Sequence, residues 1–140
     1  MSEQWIKWEP IEGLSANNSI YAVIDNPDQF KIILSNHDHE TKQTLITFDK
    51  SVDSYWFTKE ILRINTVYHV RDHYGKDFLN WTFFKITNSN YLKLFSNKLE
   101  GSNNFFPYMH FSFFTDDECL CVIATYEPKI EFITEKEKEE

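Results

Sequence analysis

The stretch Trp81 to Phe95 reads "WTFFKITNSNYLKLF", and how it is read decides the fold. Trp81 to Thr87 carries aromatic and β-branched side chains on both parities, which suits a central strand covered by helices on one side. Asn88, Ser89 and Asn90 break the run. Tyr91, Leu94, Phe95 and Leu99 then return near one helical face, and Gly101 closes the segment. Junctions of this kind hold phosphates in many α/β proteins. A phosphate site wants glycines for close backbone approach and a Lys or Arg aimed at the anion, and this loop has neither. Asn and Ser are instead favoured N-cap residues, each worth about 1 kcal/mol by satisfying free N–H groups of the first turn. The junction is read as a capped helix start. Its aromatic block, Trp81, Phe83, Phe84, Tyr91 and Phe95, is read as core, because base-stacking platforms come with cationic grooves.

Upstream, "SIYAVIDN" (Ser19 to Asn26) and "FKIILSN" (Phe30 to Asn36) flank the turn composition Asn-Pro-Asp-Gln and read as a β-hairpin. "TLITFD" (Thr44 to Asp49) adds a third strand to a meander. Leu62 to Tyr74, "LRINTVYHVRDHY", fits both periods; its length, its lack of internal Gly or Pro and the cap at Gly75 favour a helix from Lys59. Downstream, "YMHFSFFT", the acidic turn Asp116-Asp117-Glu118 and "CLCVIATY" read as a second hairpin, and "KIEFI" after Pro128 as a last edge strand. The class expected is α+β: a largely antiparallel sheet of six to seven strands with two helices packed on one face.

At 140 residues one core is expected, with residues 1–133 as a single domain and 134–140 as a charged, disordered tail. A composition 41% hydrophobic and 17% aromatic is far from that of a disordered chain. The three glycines, Gly13, Gly75 and Gly101, are too few for a phosphate cradle and read as junction residues. A net charge of −8, of which the tail contributes only −2, argues against nucleic acid and for a basic protein partner. The opening "MSEQWIKWEP" lacks a basic region followed by an apolar run, and no apolar segment approaches the roughly 20 residues that span a bilayer. No membrane contact is expected, and the compartment expected is the cytoplasm. Cys119 and Cys121 share one strand face and are expected as reduced thiols, buried or half-buried.

No motif supplies a reacting atom. His69 and His73 lie four apart, and with Asp72, His37 and His39 they suggest a metal site for a small metal-dependent enzyme. A hydrolytic zinc helix, however, carries a Glu beside the first His, whereas Val70 and Arg71 follow His69. A solvated face is the simpler reading, with no metal and no cofactor. Cys119 or Cys121 beside His110 would be a thiol–imidazole pair across the second hairpin, but a strand-centred thiol near an acidic turn has its pKa pushed the wrong way for a nucleophile. Asp116 and Asp117 are adjacent on a turn and point apart rather than flanking a substrate. The acidic residues Asp53, Glu60, Asp116, Asp117, Glu118 and Glu127 either only keep the protein soluble or form a field that attracts a basic partner. An exposed Trp56 or Trp5 beside them would supply the aromatic anchor of an interface. A homo-oligomeric structural subunit, a homodimer through its aromatic surface, is the other non-catalytic reading.

The segments "SYWFTKE", "YGKDFLNWTFFKITNSNYLKLFS" and "ATYEPKIEF", spread over Ser54 to Phe132, resemble a family of small, acidic, uncharacterised Bacillus-type proteins that look like immunity proteins. The resemblance implies a non-enzymatic inhibitor that covers the active site of a cognate toxin, often a nuclease. It carries over no functional residue. A basic nuclease domain suits an inhibitor of this charge.

Overall fold

The computed structural model describes residues 3–38, 42–50, 52–59, 64–97, 108–115 and 118–134. In chain order they form β1 (Gln4–Lys7), β2 (Asn18–Asp25), β3 (Phe30–Asn36), β4 (Lys42–Phe48), β5 (Ser54–Lys59), α1 (Ile64–Tyr74), β6 (Phe83–Thr87), α2 (Asn90–Asn97), β7 (Met109–Phe114), β8 (Glu118–Ala124) and β9 (Lys129–Thr134). The strands make two sheets, a five-stranded one in the order β1-β6-β7-β8-β5 and a four-stranded one in the order β2-β3-β4-β9. Every pairing is antiparallel.

Period-two alternation sorts the side chains into two cores. Phe30, Ile32 and Leu34 of β3, with Ile46 and Phe48 of β4, face Phe83, Phe111, Phe113, Leu120 and Val122 of the five-stranded sheet, and Trp8 closes one end. The opposite parity of the same strands, Phe84, Ile86, Phe114, Cys119 and Cys121, packs with Trp5, Val67, Val70 and Leu79 in a second core. The five-stranded sheet is therefore apolar on both faces, as the reading of "WTFFKIT" expected, with a sheet beneath it and helices above.

The class is α+β and the sheets are antiparallel, but the expected single sheet of six to seven strands is corrected to nine strands in two sheets among the described residues. The physical reason is area. Helices of 11 and 8 residues cover one face of one sheet, and a chain this rich in Phe has a further face to bury. The meander β2-β3-β4, the second hairpin β7-β8 and the edge position of β9 stand where the sequence put them. The helix expected from Lys59 is corrected as well: Lys59 ends β5, and α1 begins at Ile64. Gly75 closes α1 as expected, at φ 105°, with its N–H bonded to Arg71 O at 2.8 Å. Gly101 lies outside the described residues, as do 135–140 of the tail expected at 134–140, whose first residue, Thr134, instead ends β9.

Candidate partner-docking site

At the β6–α2 junction Asn88 takes the left-handed conformation, φ 52°, which Asn tolerates better than most residues. Ser89 caps the helix: its Oγ accepts the Leu92 N–H at 2.9 Å and sits 2.5 Å from Nδ1 of His110, a residue only 3% exposed. The Glu3 carboxylate takes the Asn90 N–H at 2.7 Å, so the N-terminus of α2 is already served by the protein itself. The capped-helix reading is correct, and of the expected core block Trp81, Phe83, Phe84 and Tyr91 belong to or pack against the cores, whereas Phe95 joins neither and meets Tyr108 edge-on, with ring centroids 5.2 Å apart.

Beneath α2 lie the two thiols, free and buried, with their sulfurs 3.9 Å apart and Ser112 Oγ 3.4 Å from Cys119. The Cys119 sulfur and burial push the Cys121 thiol far above its ordinary range, and the smaller opposing effect of His110 does not reverse this. The result is a protonated, enclosed thiol rather than a thiolate nucleophile. On α1, His69 and His73 do share a face, with parallel rings 6.5 Å apart. His37 is in a different layer, in contact with Ser19 Oγ at the β2–β3 end, so the imagined histidine cluster is not assembled. His39 lies outside the described residues, and among those described no three His, Cys, Asp or Glu side chains gather to hold a metal ion.

The margin formed by β5 is different in kind. Among the described residues β5 pairs with β8 alone and ends its sheet, yet Tyr55, Trp56 and Phe57 are 42%, 47% and 41% exposed in consecutive positions. Three successive aromatics cannot all face one core, because neighbours on a strand point to opposite sides. Tyr55 leans on Phe30 at the rim of the inter-sheet core, with ring centroids 4.8 Å apart. Trp56 lies on the helix side against Tyr91, whose hydroxyl is 2.7 Å from Ser54 Oγ. Tyr55 and Phe57 line an open groove of about 460 Å³ between the β5 and β2 edges, with Ile20, Tyr21, Ala22, Val23 and Glu118. A register shift between Ile20 and Ala22 bulges β2 here and leaves Tyr21 exposed.

Three of the sequence-predicted residues meet on this margin. Asp53 precedes β5, Trp56 is in its middle, and Glu118 stands opposite Lys59 at its far end, with N–O 4.0 Å. Burial raises the Asp53 carboxyl above its ordinary value, partly offset by a backbone hydrogen bond. Glu127 is not part of the margin, since its carboxylate pairs with Lys85 on β6, separated from β5 by β7 and β8. Trp5 is corrected from candidate anchor to core: it is 4% exposed, and its indole N–H donates to Glu3. Glu60, Asp116 and Asp117 lie outside the described residues. Sequence reasoning missed Tyr21, Tyr55 and Phe57, although the run Tyr-Trp-Phe was itself a sign that one strand had more apolar surface than one core could take.

Fold and site together define a three-layer α+β domain with an aromatic edge strand on its surface. Compared with protein-family models, curated proteins and solved structures, the chain has no match in any of the three. Among the described residues no helix is long and apolar enough to cross a membrane.

Proposed function

We propose that the protein is a non-enzymatic binding protein, an immunity-type inhibitor that captures a basic toxin domain on the β5 margin and blocks it sterically. The observation that carries this reading is the consecutive exposure of Tyr55, Trp56 and Phe57 on an edge strand flanked by Asp53 and Glu118. Exposed, flat, apolar edges are aggregation hazards that folded proteins ordinarily blunt, so one left open beside a groove is best explained by a partner that covers it. Aromatic anchors supply the desolvated centre of such an interface, and carboxylates at its rim steer a basic partner and set its on-rate. The net charge of −8 acts in the same direction over longer range.

The test uses a basic polypeptide encoded next to this chain. Calorimetric titration should show binding that weakens as salt rises and is lost in Trp56→Ala. Absence of any basic neighbour that binds, or binding indifferent both to salt and to Trp56, sinks the reading.

A further inference from the structure

We propose that two copies of the free chain pair β5 against β5 across a two-fold axis centred on Trp56, joining their five-stranded sheets edge to edge. This rests on the reading of the β5 margin as a docking surface and names a different occupant for it, so the self-paired form and the complex with a basic partner exclude each other.

The register follows from geometry. An edge strand turns the N–H and C=O groups of alternate residues outward. In a two-fold antiparallel pair, outward residues meet outward residues only when the axis passes through a residue rather than between two. For a six-residue strand from Ser54 to Lys59, the axes that leave at least three residues paired pass through Tyr55, Trp56, Phe57 or Thr58. Of these, only the axis at Trp56 sets Asp53 of one copy opposite Lys59 of the other, and symmetry makes that contact twice. The same register places Tyr55 opposite Phe57 on the groove side and Trp56 opposite its own copy on the helix side, both favourable cross-strand pairings.

The charges suit this arrangement. Lys59 is 66% exposed and reaches Glu118 only at 4.0 Å, so its ammonium is able to take a second carboxylate. Burial raises the Asp53 carboxyl above its ordinary value, and a Lys59 from a second copy would set a cation opposite it. Net charges of −8 on each copy oppose association at low salt. Salt therefore acts in opposite senses on the two complexes, strengthening the self-paired form by screening that repulsion and weakening capture of a basic partner.

The experiment is sedimentation velocity of the full chain alone, combined with oxidative cross-linking of single-cysteine variants. The native thiols are buried and stay silent. Trp56→Cys should cross-link to itself, because directly opposed residues of antiparallel strands lie within disulfide reach. Tyr55→Cys and Phe57→Cys should each fail alone and cross-link when mixed. Lys59→Asp and Asp53→Lys should each raise the dimer dissociation constant about tenfold, and the double exchange should restore it. A chain that sediments as a monomer at all salt concentrations, or that cross-links through position 55 or 57 alone, overturns the inference. Lys59→Asp leaves the aromatic anchors intact and makes the margin more acidic, so retained capture of a basic partner by that variant separates failure of the dimer from failure of the docking surface.

Discussion

Trp56 rests on Tyr91 with ring centroids 5.9 Å apart and planes at 55°, so α2 braces the most exposed aromatic of β5 from behind. The docking strand is thereby tied to the helix whose cap was the clearest local signal in the sequence. Rigid support matters here, because an anchor held in one rotamer loses less entropy when a partner covers it.

The first expectation concerns that anchor. Trp56→Ala should weaken partner binding by at least about 30-fold, the effect of a hot-spot truncation of about 2 kcal/mol. A side chain already half in solvent should contribute less than about 1 kcal/mol to folding stability. Titration calorimetry and urea denaturation on the same sample separate the two effects. A large stability loss with unchanged binding would place Trp56 in the fold and not in the interface.

The second concerns Ser89. Its single hydroxyl serves both the Leu92 N–H and the His110 ring. Ser89→Ala should lose the cap and leave a buried imidazole nitrogen without its partner, a combined cost of about 2 to 3 kcal/mol. Ser89→Thr, which keeps the oxygen, should recover most of it. The urea midpoints of the two variants decide the matter, and equal midpoints would show that the hydroxyl contributes nothing.

How much of this was legible beforehand follows from what each pattern encodes. The capped start of α2 rests on residues within one turn of each other, so Asn88, Ser89 and Asn90 announced it. Alternation in "FKIILSN" and "TLITFD" told which side chains turn inward, but alternation carries no information about which sheet a strand joins. Hence one sheet was expected where two exist. β5 was hidden because its apolar residues occur on both parities, and because Ile64, Val67 and Tyr68 just beyond it fit a helix. β1 is four residues long, too short for a period to show. Asp53, Trp56 and Glu118 were found as residues, yet only the pairing of β5 with β8 shows that they share one margin. That Glu127 sits apart from them, paired with Lys85, could not be read because Lys85 is remote in sequence.

The third expectation concerns the corner after β4. The Tyr126 hydroxyl donates to Lys50 O at 2.8 Å and accepts the Lys50 N–H at 2.7 Å, fastening that corner to the end of β8 across 76 positions of sequence. Tyr126→Phe removes both bonds and changes little else, so it should cost about 1 to 3 kcal/mol. The corner also leads into Asp53 and β5, so faster amide exchange should appear at residues 52 to 54 in the variant. Exchange unchanged there would mean the clamp does not reach the docking strand.

The fourth concerns alkaline pH, and its sign follows from proton linkage. Cys121 is raised from the ordinary 9.0 by the neighbouring Cys119 and by burial, and Tyr91 is raised from 10.0 chiefly by burial. A raised value means that the folded chain holds protons the unfolded chain releases. Stability from these groups is therefore complete below pH 9 and declines as pH rises above it. Between pH 9 and 10, where Cys121 acts before the tyrosines, the decline should approach about 1.4 kcal/mol per pH unit. In Cys121→Ala the slope over that interval should flatten, whatever the variant's overall stability, because the titrating group is gone. The same protonation predicts that a thiol reagent at pH 8 modifies the native protein no faster than unfolding exposes it. Denaturation curves at pH 8, 9 and 10 provide the check, and an unaltered slope in Cys121→Ala would show that another group carries the alkaline transition.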